Sequence, residues 1–259
     1  MSALMPVIFF GHGNPMNALY RNVWTEGWSA IGQSIPKPKA ILCLSAHWYI
    51  PAVVVTAMEQ PRTIHDFGGF PRELFEYQYP APGSPSLAAR VQKLIGNDVL
   101  ADDRQWGLDH GTWSVLCHVY PEADVPVVQL SIDETRTPEW HYSLAQRLSP
   151  LRDEGILVIG SGNLVHNLHT YAWGNEARQP FDWAIRFEET ARKLILADDH
   201  EPLVNYESLG KDAHLSAPTP DHYLPLLYAL ALKRPSESIT FPIEGFDGGS
   251  VSMTTVRIG

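Results

Sequence analysis

Three apolar runs in this 259-residue chain end on or near a histidine. Pro6-Val7-Ile8-Phe9-Phe10-Gly11 leads into His12, and Ala40-Ile41-Leu42-Cys43-Leu44-Ser45-Ala46 leads into His47. Gly155-Ile156-Leu157-Val158-Ile159-Gly160 leads through Ser161-Gly162-Asn163 towards His166. Short, near-continuous apolar runs read as strands buried on both faces. In open parallel sheets, ligands collect outside the carboxyl ends of the strands. Imidazoles brought to one such edge by separate strands would make a metal site, because neutral imidazole suits zinc, copper, iron and nickel.

The remaining histidines differ in context. A lone histidine at a strand end is more often a satisfied core residue, but two at corresponding places of one sheet favour ligands, so His12 and His47 are assigned to metal. His166, just past its strand, is either a third ligand or a general base. His222 follows Thr219-Pro220, which reads as the opening of the last apolar helix. In a first turn the helix dipole disfavours imidazolium and leaves the ring able to bind metal; the plain alternative is a first-turn histidine with no role. His110, between Asp109 and Gly111, reads as a loop histidine and a candidate acid or base. His65 lies in the stretch from Gln60 to Pro82. That length, with Gly68-Gly69 and three phenylalanines (Phe67, Phe70, Phe75), suits either a substrate lid or an ordered Ω-loop packed by its own aromatics. His118 and His141 fall within helices and read as structural, His200 and His214 as exposed.

The elements that must hold these groups alternate. Strands are predicted over Met5 to Phe10, up to His47, over Val53 to Thr56, near Val99, over Pro126 to Ser131 and over Ile156 to Gly160. Two closing strands follow, Ile239 to Glu244 and Ser250 to Ile258. Between them lie a helix from Asn14-Pro15 to Ile31, stopped by Pro36-Lys37-Pro38, and one opened by Ser84-Pro85 and reaching Ile95. A helix carries Val115 to Tyr120, another runs from Thr137-Pro138 to about Asp153, and an amphipathic one from Phe181 to about Ala197. This alternation predicts one α/β domain over residues 1–259, with a mainly parallel central sheet and helices on both faces.

Composition bounds the function. The net charge of −10 is a poor match for nucleic acid or an anionic membrane. No apolar run reaches the ~18 residues of a spanning helix, and the N-terminus lacks the pattern of a signal peptide. The two cysteines, Cys43 and Cys117, sit in apolar runs and read as buried thiols, which fits a cytoplasmic protein. Neither belongs to a CxxC, so thiolate zinc and iron–sulfur sites are not expected. Gly11-His12-Gly13-Asn14-Pro15-Met16 lacks the third glycine of a dinucleotide fingerprint, and there is no Walker A, no H-E-x-x-H and no G-x-S-x-G.

Seven stretches, in one order along nearly the whole chain, resemble a known family. They are Gly11 to Met16, Ser45-Ala46-His47-Trp48, Thr63-Ile64-His65-Asp66-Phe67-Gly68-Gly69-Phe70-Pro71, Tyr79-Pro80-Ala81-Pro82-Gly83, Trp106 to Gly111, Gly162 to Asn167, and Pro218-Thr219-Pro220-Asp221-His222-Tyr223-Leu224-Pro225. Together they resemble the class III (LigB-type) extradiol ring-cleavage dioxygenases, and most closely the 4,5-DOPA extradiol dioxygenase group. The resemblance implies a mononuclear non-haem metal, with Fe(II) expected for activity and Zn²⁺ able to take its place. It implies a small-molecule catechol and O₂ as substrates. Carried over by position, His12 and His47 become ligands, His166 and His222 ligands or acid/base residues, and His110 a proton-transfer or oxygen-side residue. His65 and Tyr223, with Arg62 and Arg72, are candidates for contacting the substrate. Other class III branches use two histidines and a carboxylate. Here the matching motif offers His222, and Glu244 is an available carboxylate that no motif places. Two rival readings use the same histidines: a zinc-dependent hydrolase that activates water, and a non-catalytic metal-binding protein on the same fold.

Overall fold

The computed structural model describes residues 4–96, 99–102 and 104–259. In chain order the elements are β1 (Val7–Gly11), α1 (Val23–Ser34), β2 (Ala40–Ile50), β3 (Val53–Thr56), α2 (Arg72–Glu76), α3 (Pro85–Ile95), β4 (Val99–Asp102), α4 (His110–Val119), β5 (Val127–Asp133), α5 (Pro138–Gln146) and α6 (Pro150–Asp153). They continue with β6 (Ile156–Gly162), α7 (Asp182–Leu196), α8 (Glu201–Val204), α9 (Lys211–Ser216), α10 (Leu224–Ala231), β7 (Ile239–Ile243), β8 (Phe246–Asp247), β9 (Val251–Ser252) and β10 (Thr255–Ile258).

Eight of the strands form one sheet in the order β4-β3-β5-β2-β6-β1-β10-β7. Its centre is parallel: β2 pairs with β5 and β6, and β1 with β6. The closing strand β10 is antiparallel to β1 and β7. The alternation of side chains explains why both faces are covered. On β1, Val7 and Phe9 enter one core while Ile8 and Phe10 enter the other; on β2, Leu42 and Leu44 oppose Ile41 and Cys43. The first core is closed by α3, α5, α7 and α10, the second by α1 and α4. Each such fully buried side chain stabilises the fold by roughly 1.5–3 kcal/mol.

Register brings the strand ends level. Gly11 pairs with Gly162, and Ser45 with Ser161, so the β1–β6 and β6–β2 ladders end side by side, while β2 runs on to Ile50. The β2–β5 ladder breaks between Leu44 and Tyr49. The irregularity contains His47, and such bulges re-aim side chains beside functional sites.

Several boundaries depart from the sequence expectation. Asn14-Pro15 opens only a 3₁₀ turn (Pro15–Ala18), and the long helix starts later, at Asn22. The Asn22 side chain accepts from the Trp24 and Thr25 amides while Thr25 Oγ1 accepts from the Asn22 amide, a reciprocal cap. The helix expected to reach Asp153 is split into α5 and α6, with Pro150, which lacks an N–H, opening the second piece. The last strand is likewise split into β9, which pairs with β8, and β10. His110 is the first residue of α4, not a loop residue, and His222 sits in the turn before α10, not in its first turn. The dipole argument for His222 therefore does not apply. His200 is half-buried, with Nδ1 2.7 Å from the Tyr142 hydroxyl. Cys43 and Cys117 are buried free thiols. Among the described residues no helix is long and apolar enough to cross a membrane.

Candidate metal centre and substrate cavity

Four segments converge above the sheet. His12 leaves the end of β1, with its amide donating to the Gly162 carbonyl at 3.0 Å. His47 comes from the irregular part of β2, His110 from the start of α4, and His222 from the turn before α10. The Nε2 atoms of His12 and His47 face each other at 3.1 Å. One ligand atom from each of His12, His47 and His222 lies within 4.8 Å of the others.

What lies behind each ring decides what its inner nitrogen can do. Ser161 Oγ donates to the Gly111 carbonyl, so towards His12 it can only accept, and His12 Nδ1–H is its donor at 3.0 Å. His12 Nε2 then carries a lone pair. His47 Nδ1 lies 3.3 Å from Asp66 Oδ2, and His222 Nδ1 is bonded to Asp221 Oδ2. Asp221 accepts from the outer nitrogen of His222, and Asp66 faces the outer nitrogen of His47, so the carboxylates favour a proton on the outer nitrogens and lone pairs on the inner ones. His222 Nε2 is buried and has no protein partner. Inward lone pairs with their outer nitrogens pinned by carboxylate or hydroxyl are the pattern of ligating histidines. Burial, reinforced by the neighbouring imidazoles, holds the pKa of both His12 and His47 well below the ordinary histidine range, so these rings stay neutral. The donor set thus fits one divalent metal ion.

Asp66 joins the centre to a second histidine. Its Oδ2 also lies 2.9 Å from His110 Nδ1, and its Oδ1 accepts the His110 amide at 2.9 Å. Burial pushes the Asp66 carboxyl up, but the hydrogen bonds and charge of His110 outweigh it and the net shift is down. Asp66, His47 and His110 are also close enough to hold an ion. Their short contacts are these Nδ1–carboxylate approaches, however, so the inward nitrogens of the first group make the better site. For Asp221 too, burial is outweighed by the hydrogen bond to His222, and the carboxyl stays ionised.

His166 stands outside the triad. Its ring stacks on His222, with centroids 3.5 Å apart and planes 8° from parallel. Burial lowers its pKa, and His222 lowers it further. Among the described residues, His166 is not one of those whose ligand atoms come within 4.8 Å of one another. His110 and His166 both face a cavity of about 230 Å³ that opens over the triad. Gly13, Pro15, Phe67, Phe70 and Tyr171 help to line it, a size and an aromatic character suited to a single ring.

Five sequence candidates fall elsewhere. Tyr223 is fully buried, and its hydroxyl donates to the Leu203 carbonyl at 2.9 Å, away from the cavity. His65 Nε2 bonds to the Tyr77 carbonyl, and its ring packs on Phe67, Phe75 and Trp113, which holds the loop together. Arg62 bonds to the Gln105 carbonyl, Arg72 pairs with Glu76 on the surface, and Glu244 pairs with Arg192. The 60–82 loop is packed by its own aromatics and at the same time supplies Asp66, Phe67 and Phe70 to the cavity wall. Sequence reasoning did not single out Ser161, Asp66 and Asp221. For the two carboxylates a signal existed: each adjoins a histidine in the chain, Asp66 after His65 and Asp221 before His222. It also missed the buried Asp109, which caps α4 and accepts from Ser45 Oγ and Gln129 Nε2, both at 2.7 Å.

Residues 6–240 match the family described as the catalytic LigB subunit of aromatic ring-opening dioxygenase. The chain belongs to the LigB family of extradiol dioxygenases. It is 48% identical to the 4,5-DOPA dioxygenase extradiol of Escherichia coli (strain K12), across 100% of this chain and 96% of the relative. It is 37% identical to the protein of the same name from Beta vulgaris, across 94% and 92%. A crystal structure of an uncharacterized protein from Escherichia coli K12 superposes with a TM-score of 0.86 at 44% identity, covering 98% of this chain and 100% of that one. In this LigB-family chain the matched region takes in every histidine of the cavity.

Proposed function

We propose that the chain acts as one catalytic domain over residues 1–259 and opens the ring of a single-ring catechol of the 4,5-DOPA type with O₂, in a metal-dependent reaction. The observation that carries this reading is the set of inward lone pairs on His12, His47 and His222 at the floor of a cavity flanked by two further histidines. Those three residues would hold the ion. When bound there, a redox-active ion such as Fe(II) supplies acidification of the catechol hydroxyls and a path for electrons to O₂, whereas Zn²⁺ supplies only the first.

The chain's own groups do the rest. Asp66 holds His110 Nδ1–H outward, which leaves His110 Nε2 as an acceptor for a catechol proton. The His166 ring, kept neutral by burial, is a second acceptor on the side of His222. Whichever of the two takes the hydroxyl proton can return it as the ring opens. Phe67 and Phe70 exclude water from one side of the ring and orient it by edge and face contacts. The hydrolase reading gains nothing here: Asp66 is the carboxylate in the cavity lining, and two imidazoles and an amide already engage it, so it is not a free general base. Anaerobic reconstitution with each metal, then oxygen uptake with DOPA, tests the proposal. Uptake is expected with Fe(II) and not with Zn²⁺; turnover with zinc alone overturns it.

A further inference from the structure

The outer end of the cavity differs from the floor. Leu168, Tyr171 and Trp173 form its wall there, and no lysine or arginine lines the cavity among the described residues. Trp173 is 63% exposed yet faces the opening, and its ring meets Tyr171 edge-on at 4.7 Å, with planes 66° apart. The corner is built, not incidental. A Cβ at Gly248 would lie 2.3 Å from the Tyr171 ring, so the β8–β9 turn presses directly on that ring. The Ala172 amide donates to the Gly248 carbonyl at 3.0 Å.

Behind the corner is negative charge. The Tyr171 hydroxyl donates to Asp247 Oδ2 at 2.9 Å. Asp247 is buried, and its Oδ1 has no protein partner. A phenol that donates to a carboxylate has a more electron-rich ring face. Aromatic faces of this kind attract cations within about 6 Å of the centroid. A carboxylate at the same place would meet an aromatic wall, an acid behind it and no counter-ion.

We propose that Tyr171 and Trp173, backed by Asp247, form a subsite for an ammonium group on the side chain of the catechol. The preferred substrates are then aminoalkyl catechols, and a carboxylate on the same side chain is left to solvent. This rests on the ring-opening reading above, and two measurements separate the failure of one from the failure of the other. The first is direct calorimetric binding, under nitrogen, of dopamine, DOPA, 4-ethylcatechol and 3-(3,4-dihydroxyphenyl)propionate to the zinc-loaded protein. The second is steady-state oxygen uptake with the same four compounds on the Fe(II)-loaded protein.

Dopamine and DOPA should bind about fivefold or more tightly than 4-ethylcatechol, with the propionate weakest, and the same order should appear in kcat/KM. Trp173→Leu should bring the ratio of dopamine to 4-ethylcatechol to about one, while Trp173→Phe, which keeps a ring face, retains part of it. Tyr171→Phe, which keeps the ring but frees Asp247, tests the role of the hydroxyl and should lower the ratio less than Trp173→Leu. Equal affinity for the amine and the neutral catechol, a preference for the propionate, or a ratio that survives Trp173→Leu would each overturn the subsite. Amine-selective binding without oxygen uptake would leave the subsite standing and sink the dioxygenase reading instead.

Discussion

The atoms that aim the inner nitrogens are as informative as the histidines themselves. Ser161 Oγ gives its proton to Gly111 and accepts from His12, so Ser161→Ala removes the partner that fixes the His12 tautomer. Loss of such a partner typically weakens metal binding about 10–100-fold, and equilibrium dialysis against Fe(II) or Zn²⁺ should show a loss of that size with the far-ultraviolet spectrum unchanged. His12→Ala and His47→Ala should each abolish metal retention without unfolding the chain; full occupancy in either would remove that residue from the ligand set. Tyr223 makes the opposite case. Its hydroxyl bonds to the Leu203 carbonyl inside the core, so Tyr223→Phe should leave the KM for catechols unchanged and cost about 1 kcal/mol in urea unfolding. A several-fold rise in KM would return Tyr223 to the substrate site. Residue type and position at a strand end were enough to expect His12 and His47 at one edge of the sheet, where their rings do meet. The roles of His65 and Tyr223 were not legible, because a motif gives neighbours in the chain and says nothing of which way a ring points.

At the scale of elements, the close approach of α4 to β2 sets the distance between His110 and His47. Gly111 is the second residue of α4. A Cβ there would lie 2.5 Å from Ser45 Oγ and 2.9 Å from His47 Cδ2. Gly111→Ala must therefore push α4 or the irregular part of β2 away, and His47 with it. Reduced metal affinity together with destabilisation of roughly 1–3 kcal/mol is expected from such overpacking, measured by dialysis and by urea unfolding on one preparation. Unchanged values in both would mean that the helix and strand can separate without disturbing His47. Most elements were legible because their signals are local: Ser84-Pro85 and Thr137-Pro138 open α3 and α5 where expected, with both hydroxyls capping. The misplaced boundaries have two causes. The delay of α1 and the break before Pro150 are local, set by the Asn22–Thr25 cap and by a proline without an N–H, which override the apolar periodicity. The turn that holds His222 depends on backbone partners distant in the chain. The His222 carbonyl, for instance, accepts from the Asn163 amide, a contact that no periodicity encodes.

Across the whole molecule, the two covered faces and the level strand ends follow from apolar runs that the sequence displays openly. The antiparallel closing strands and the loop that brings Asp66 inward do not. Polar links through the cores must also hold distant parts together, and His141 is one. Its ring, fully buried, lies 2.8 Å from the Tyr228 hydroxyl of α10 through Nδ1 and 3.1 Å from the Asp133 carbonyl of β5 through Nε2. The neutral tautomer satisfies both: Nε2–H donates to Asp133 and Nδ1 accepts from Tyr228. Burial lowers its pKa from 6.5 to about 4, against the smaller raising effect of Asp133. Above pH 6.5 neither the folded nor the unfolded chain protonates this ring, and its contribution is fully present. As pH falls from 6.5 towards 4 the unfolded chain gains the proton and the folded chain does not, so stability falls; below about 4 both are protonated and the slope ends. The whole loss amounts to about 3 kcal/mol at ~1.36 kcal/mol per pKa unit. His141→Gln should be the less stable protein at pH 8, because the glutamine fits the two partners less well. Its stability should fall less than that of the wild type between pH 6.5 and 4, so the two urea-unfolding curves, plotted against pH, converge or cross. Curves that stay parallel throughout that window would show that His141 takes up its proton in the folded protein as readily as in the unfolded chain.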